Sequence, residues 1–278
     1  MRKSIQIYNP CQIAPAAAAG FTEISYSFGT DELAFREDCL ERAAEIRAML
    51  DAHHVACTQT HLPCYHLLVS SEETDERTEA AMHRALRASA VLGAPWAAFH
   101  PRTAVHAGYS RTKSADDTRR ALEGYLTTAE ACGVGIAVEN MPLYPHTHAE
   151  WRFLGGGFEE LLALCDAFRS DKIGICWDFG HAHTAGLDQA AALREIGARL
   201  KITHVHDNYK NGDHHQLPCL GSGEWGCIDW KRLMPVLREI GYTGPMTLEV
   251  IYPPTRMLAG FLQCGYGALS ELEAYMEA

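Results

Sequence analysis

No apolar run in this chain of 278 residues approaches the ~20 residues that a membrane-spanning helix needs, so no membrane partner is expected. Basic residues are comparatively few: 24 Lys and Arg stand against 35 Asp and Glu, a formal net charge of -11. Affinity for a phosphate backbone rests largely on Lys and Arg releasing counterions, so no nucleic-acid partner is expected either. A small neutral or locally compensated ligand fits this balance better. There is no C-x-x-C pair among the ten cysteines, which are scattered from Cys11 to Cys264. Read together they are buried small hydrophobes in a reducing cytosol rather than a disulfide framework. Arg2 and Lys3 are followed by Gln6, Asn9, Pro10 and Gln12, which break any signal-peptide core, and a soluble cytoplasmic protein is the expectation. No low-complexity linker or shift in composition marks a second domain, so residues 1–278 are expected to form one.

Short β-rich runs alternate with helical ones from end to end, the pattern of a parallel sheet whose crossovers are helices. Eight strand candidates follow: Ser4 to Tyr8, Thr22 to Ser27, His54 to Thr60, Trp96 to His100, Val134 to Glu139, Ile173 to Asp178, Ile202 to His206 and Met246 to Ile251. Many are apolar on both faces, as buried parallel strands should be. The spacing of Leu40, Ala43, Ile46 and Leu50 predicts a helix over Asp38 to Ala52, and Met82, Leu86 and Ala90 predict another over Glu79 to Leu92. Asp31 and Asp116 read as helix N-caps, and Gly93, Gly133 and Gly241 follow helical stretches where a left-handed residue is wanted. The element count gives an α/β fold, a (β/α)8 TIM barrel. An open doubly wound sheet is the alternative, but no G-x-G-x-x-G follows the first strand. Three long connections, Pro101 to Ala115, Met141 to Gly157 and Asp207 to Cys227, follow strands four, five and seven, on the rim where barrel enzymes keep their active sites. They carry Tyr109, Tyr144, Trp151, Phe153 and Trp225, which could wall a pocket, and the basic Arg102, Lys113, Arg152 and Lys210, which could meet a substrate phosphate.

The strand ends hold the chemistry. Glu139 closes VGIAVEN, Asp178 closes IGICWD and Glu249 closes MTLEV. A charge at the end of an apolar strand must be solvated, paired or bound to a cation. In a closed barrel these ends lie on one ring, where three carboxylates would repel without a cation. His204 and His206 are two apart on one strand and so face one side, and either can be the imidazole that joins the carboxylates. His181 leaves strand six in a D-x-x-H turn from Asp178.

In order, AFHP at His100, VENMP at Glu139, WDFGHAH from Asp178, HVHDN, DHH from Asp213, GSGEWGCIDW and GYTGPMTLEV resemble the xylose isomerase-like TIM-barrel superfamily, over about His61 to Glu249. That superfamily includes sugar phosphate isomerases and epimerases, ketose 3-epimerases, inosose dehydratases and apurinic endonucleases. The resemblance implies one divalent ion, Mn, Co, Zn or Fe, held by Glu139, Asp178, His204 or His206, and Glu249. It implies further that Glu139 and Glu249 act as an acid and base pair through a cis-enediolate. His181 matches a histidine that contacts substrate oxygens, and His206, Lys210, Trp151 and Trp225 are the other substrate-contact candidates. The endonuclease members use a larger ligand set, which His61, His100, His181, Asp213 and His215 would complete here, so more than one ion per chain is allowed. Two features depart from the ketose 3-epimerase pattern: Lys210 stands six residues after His204 where the epimerases have arginine, and Pro145 stands where a substrate-binding glutamate follows VEN. The expectation is therefore a metal-dependent isomerase or epimerase acting on a small carbohydrate, free or phosphorylated. A multinuclear hydrolase or lyase and a non-catalytic sugar-binding subunit are the alternatives, and a homo-oligomer is left open.

Overall fold

A computed structural model describes residues 1–28, 32–64, 72–103, 110–143, 153–210, 212–218 and 226–278. Eight strands, β1 (Arg2–Ile7), β2 (Glu23–Ser27), β3 (Ala56–His61), β4 (Trp96–Phe99), β5 (Gly135–Glu139), β6 (Ile173–Asp178), β7 (Leu200–Val205) and β8 (Pro245–Leu248), close into a barrel in sequence order. Every neighbouring pair is parallel, and β8 pairs back to β1 with Arg2 opposite Pro245 and Ile5 opposite Leu248. The barrel displaces the open doubly wound alternative. That choice turns on the pairing of the first strand with the last, a contact across the whole chain that local patterns do not encode.

Helices α1 (Ile13–Ala18), α2 (Cys39–Ala52), α3 (Glu72–Leu92), α4 (Arg111–Cys132), α5 (Phe158–Asp166), α6 (Phe179–Thr184), α7 (Gln189–Ile196), α8 (Trp230–Glu239) and α9 (Leu258–Glu277) complete the crossovers and the C-terminus. The face of α2 that packs inward is Cys39, Ala43, Ile46 and Leu50, while Leu40 is 42% exposed. Leu40 was expected on the apolar stripe, but the stripe is one residue out of phase with it. Gly93, Gly133 and Gly241 do adopt positive φ, at 86°, 75° and 70°. The cap of α4 is Ser110, whose side chain accepts from Lys113 N; Asp116 lies inside the helix and is not its cap. Asp31, the other expected cap, lies outside the described residues. Among the described residues no helix is long and apolar enough to cross a membrane.

Strand periodicity divides the buried side chains into two shells. Ile5 and Ile7 of β1, and Ile136 and Val138 of β5, join the large apolar layer between strands and helices. The alternate positions point into the barrel. There Ala98, Ala137, Cys176 and Ile202, from β4 to β7, form a separate fully buried cluster on the barrel axis. One pleat further along each strand stand His100, Glu139, Asp178 and His204. Ser4 leads in the same way to Gln6, Gln59 to His61 and Thr247 to Glu249. The side chains that carry chemistry are therefore the next lumen layer, at the C-terminal mouth.

Candidate metal centre

Among the described residues four groups of ligand-type side chains meet at that mouth, each with its candidate atoms within 4.8 Å of one another. The first joins Glu139, Asp178, His204 and Glu249, from β5, β6, β7 and the residue after β8. His204 Nδ1 lies 3.1 Å from Glu139 Oε1, 3.0 Å from Glu249 Oε2 and 3.9 Å from Asp178 Oδ2. Glu139, Asp178 and His204 are 0% exposed, and Glu249 7%. Of the two histidines of HVH, His204 is the one among the three carboxylates.

The second group is His181, His206, Asp213 and His215. His181 Nε2 and His215 Nε2 stand 3.2 and 3.0 Å from Asp213 Oδ2. His206 stacks on His215 at 4.0 Å between ring centres and bonds Asp178 Oδ2 through Nε2 at 3.1 Å. His206, expected as a substrate contact, is completely buried and belongs with this ligand group. It lies one residue beyond the end of β7 at Val205, whereas His204 is within the strand. The remaining two groups share His61, one with Cys64 and His100 and the other with Glu139 and His204; the Nε2 atoms of His61 and His100 are 3.2 Å apart, with Glu139 Oε2 3.4 and 3.3 Å away.

The surroundings orient these rings. His61, His181 and His215 each direct Nδ1 at a backbone carbonyl, of Leu62, Asn140 and Glu249, at 2.7, 2.8 and 2.9 Å. A carbonyl only accepts, so Nδ1 carries a proton and Nε2 is the nitrogen turned to the cluster, the one that a metal ion would take in place of a proton. Asn140 joins β5 to β6: its Nδ2 donates to Asp178 O at 2.8 Å and its Oδ1 accepts from Asp178 N at 2.7 Å. Asp178 also caps α6 by accepting from His181 N at 2.6 Å, which fixes the D-x-x-H turn. Gln6 of β1 donates to Glu249 Oε1 at 2.6 Å. Asp207 secures the loop that brings in Asp213 and His215. It accepts from Ile228 N and Trp230 Nε1 at 3.0 and 2.9 Å and exchanges two backbone bonds with Gln216. His215 has φ of 45°, a left-handed conformation costing about 1–3 kcal/mol at a non-glycine residue, held in place by its bond to Glu249 O.

Burial and charge oppose each other at the mouth. Burial opposes ionisation of Glu139, yet His204 and His100 hold its carboxyl well below the usual range; burial likewise opposes, and His204 outweighs it, at Glu249. Burial disfavours charged imidazoles, but Cys64 and Glu139 raise His100 to about 9, and Asp213 and Glu249 raise His215 to about 9. The carboxylates thus demand positive charge around them, which protons supply here and which divalent ions supply better by displacing those protons. Both oxygens of Glu139 are buried without a hydrogen bond, and so is His204 Nδ1. A buried polar atom without a hydrogen bond costs about 1–3 kcal/mol, which the facing imidazoles and carboxylates offset in part and a coordinated cation would offset more fully. The residues present fit a divalent cation with oxygen and nitrogen ligands.

Of the rim residues expected to meet substrate, Lys210 is exposed, with φ of 66°. Arg102 is paired with Glu79 and Tyr125, and Lys113 with Asp117, so these two are engaged elsewhere. Tyr109, Tyr144, Pro145, Trp151, Arg152 and Trp225 lie outside the described residues. Sequence reasoning missed Gln6, Asn140 and Asp207 as positioning groups, and it missed Cys64. Cys64 is half-buried, three residues after His61, and its Sγ lies 3.5 Å from His61 Nδ1. Burial raises that thiol, but His61 and His100 bring it down to about 5. The signal was present in HLPC, a histidine and a cysteine three apart at one strand end.

A closed parallel barrel with imidazole and carboxylate clusters at its C-terminal mouth defines a TIM-barrel protein with a candidate metal centre. The chain belongs to the family of xylose isomerase-like TIM barrels, whose family model matches residues 13–263. An uncharacterised protein of Methanocaldococcus jannaschii is 34% identical over 136 residues, which span 48% of this chain and 43% of that protein. A probable endonuclease 4 of Methanoculleus marisnigri is 26% identical over 178 residues, 59% of this chain and 60% of that protein. The chain thus covers less than two thirds of the length of either relative. Among solved structures, a D-tagatose 3-epimerase-like protein superimposes with a TM-score of 0.79 at 22% identity, covering 100% of this chain and 98% of that one. At that identity the likeness is one of fold.

Proposed function

We propose that this protein is a divalent-metal-dependent isomerase or epimerase of a small sugar or sugar phosphate, with Glu139 and Glu249 as its acid and base pair. The observation that carries the reading is the placement of those two carboxylates on either side of His204 Nδ1, at 3.1 and 3.0 Å, from strand ends three apart in the barrel order. When bound by Glu139, Asp178, His204 and Glu249, a divalent ion would polarise a substrate carbonyl and its neighbouring hydroxyl.

The protein's own residues supply the proton transfers. One glutamate takes the proton from the carbon between those oxygens, giving a cis-enediolate of the sugar. The other returns a proton from the opposite face, which yields an epimer; return at the adjacent carbon yields an aldose and ketose pair. Gln6 occupies Glu249 Oε1 and so leaves Oε2 as the oxygen facing His204. Tyr252 in turn fixes Gln6 by donating to its carbonyl at 2.6 Å. We assign Lys210, Trp151 and Trp225 to the substrate's remaining hydroxyl or phosphate groups, with His181 and His206 as further candidates for contact with it. The fold likeness to the epimerase-like protein supports the same class.

The test is proton NMR of a panel of ketoses, aldoses and their phosphates incubated with protein loaded with Mn, Co, Zn or Fe. A new epimer or isomer that disappears on chelation is the expected result, and an unchanged panel with fully loaded protein would refute it. A second reading, a multinuclear hydrolase or lyase, draws on one specific observation: further ligand-type side chains adjoin the first group, His61 and His100 through Glu139 and His206 through Asp178. Elemental analysis separates the two, because one tightly held ion per chain supports the single-ion isomerase and two or three support the multinuclear reading.

A further inference from the structure

We infer that the N-terminal mouth of the barrel, on the face opposite the histidines and carboxylates, is a binding site for a small oxyanion, a phosphate or a carboxylate, held by Lys201 and Arg2. This rests on no reading of the reaction. A cavity of about 380 Å³ lies there, within the ~300–1,000 Å³ of small-molecule sites. Its walls are the first residues of β1, β4, β7 and β8, with the turn of residues 240–244 between α8 and β8. Arg2 and Lys201 line it, and no Asp or Glu does. In a chain of net charge -11 this is a local reversal of sign, which attracts anions.

The barrel floor is built around these side chains. Trp96 and Lys201 reach towards each other from β4 and β7, and the two strands between them carry glycine where they pass. A Cβ on Gly135 of β5 would lie 2.2 Å from the Trp96 ring, and one on Gly174 of β6 would lie 2.3 Å from Lys201 Cγ. Lys201 Nζ ends 5.5 Å from the Trp96 ring centre, a cation–π distance, and donates to Ala198 O at 2.8 Å. Among the described residues no carboxylate pairs with this ammonium, which keeps donors for an anion. Arg2 stands on the other side of β8, with Pro245 as its partner in register. Its Nε donates to Glu23 Oε1 at 2.8 Å, which leaves its terminal nitrogens for a second acceptor.

The layer above points to a polar occupant independently of the two cations. One pleat further along β1 and β8, Ser4 stands opposite Thr247, and Gln59 follows the cavity-lining Thr58 on β3. All three are 0% exposed, and the two hydroxyls and both ends of the Gln59 carboxamide are without a hydrogen bond. On the β4 to β7 side the same layer is the apolar cluster of Ala98, Ala137, Cys176 and Ile202. Within this layer the unpaired atoms therefore lie on the β8, β1 and β3 side, where a hydrated oxyanion would give them partners.

The test is amide-resolved NMR of chelator-stripped full-length protein titrated with sodium phosphate and, separately, sodium malonate, against sodium chloride at equal ionic strength. Saturable shifts of the Trp96 indole N–H and of the amides of Gly241, Thr243 and Gly244 are expected with phosphate, malonate or both, and the arm that saturates identifies the anion. Lys201→Met keeps an unbranched stem over Gly174 and should weaken binding about tenfold or more, the worth of one charge-assisted bond. No saturable shift with either anion, the same shifts with chloride, shifts confined to the histidine mouth, or undiminished binding in Lys201→Met overturns the proposal. If Lys201→Met does not fold, Arg2→Gln must weaken binding, and an unaltered affinity there overturns it as well. No turnover is read, so failure of the isomerase reading would leave this result intact.

Discussion

Gly180 in α6 is a glycine by necessity, and replacing it with alanine would test how tightly the ligand groups are packed. A Cβ at this position would overlap His206 Cε1 and lie 2.5 Å from its Nε2, far inside the 3.0 Å below which real Cβ contacts essentially do not occur. His206 has no room to retreat: it is 0% exposed, stacked on His215 at 4.0 Å and bonded to Asp178 at 3.1 Å. Overpacking of this kind costs about 1–3 kcal/mol, and the overlap here belongs at the upper end. Alanine is the better helix former by about 1 kcal/mol, which offsets part of that loss. The expected net destabilisation of Gly180→Ala is about 2 kcal/mol, or roughly 4–8 °C in Tm by thermal unfolding of chelator-treated protein. Gly124→Ala in α4 is the control, since nothing lies within 4 Å of its added Cβ. It should raise stability by about 0.5–1 kcal/mol. If both substitutions stabilise, His206 is not held where the argument needs it. The variant should also retain fewer ions per chain, read by elemental analysis, because the His206 and His215 stack is displaced.

Asn140→Ala removes both bonds to the Asp178 backbone and leaves two buried groups unpaired, so denaturant unfolding should show a loss of about 2–5 kcal/mol. Gln6→Leu releases Glu249 Oε1; turnover should fall about 10–100-fold with the circular dichroism spectrum unchanged. Stripping the divalent ions returns the buried carboxylates to protons alone. Adding back an ion at a hundred times its Kd should recover about 2.7 kcal/mol, roughly 5–10 °C in Tm, and no shift would argue against a folded-state metal site.

Much of this centre could be read from the chain because the barrel converts a one-dimensional signal into a ring. Glu139 and Asp178 end their apolar strands and Glu249 directly follows β8, and parallel closure brings those positions together. What could not be read depends on contacts across the closure. Gln6 meets Glu249 only because β1 pairs with β8, 243 residues away. His204 and His206 share a strand parity that leaves the ligand undecided, and only the folded chain assigns them to different groups, His204 within β7 and His206 just beyond it. Cys64 stands three residues after His61 in HLPC, but among ten scattered cysteines that spacing does not stand out, and its other neighbour His100 belongs to the next strand end. The cap of α4 went to Ser110 rather than Asp116 because the helix starts earlier than the acidic pair suggests.

The central claim is that Glu139 and Glu249 move a proton on a sugar carbon in a metal-dependent step. Incubating metal-loaded protein with the sugar panel in D2O tests it most directly, with mass spectrometry reading deuterium at carbon. The account predicts incorporation of solvent deuterium that chelation stops and that Glu139→Gln and Glu249→Gln each abolish, while Glu249→Gln still binds metal. No incorporation across the panel with fully loaded wild-type protein, or undiminished incorporation in either variant, would contradict it.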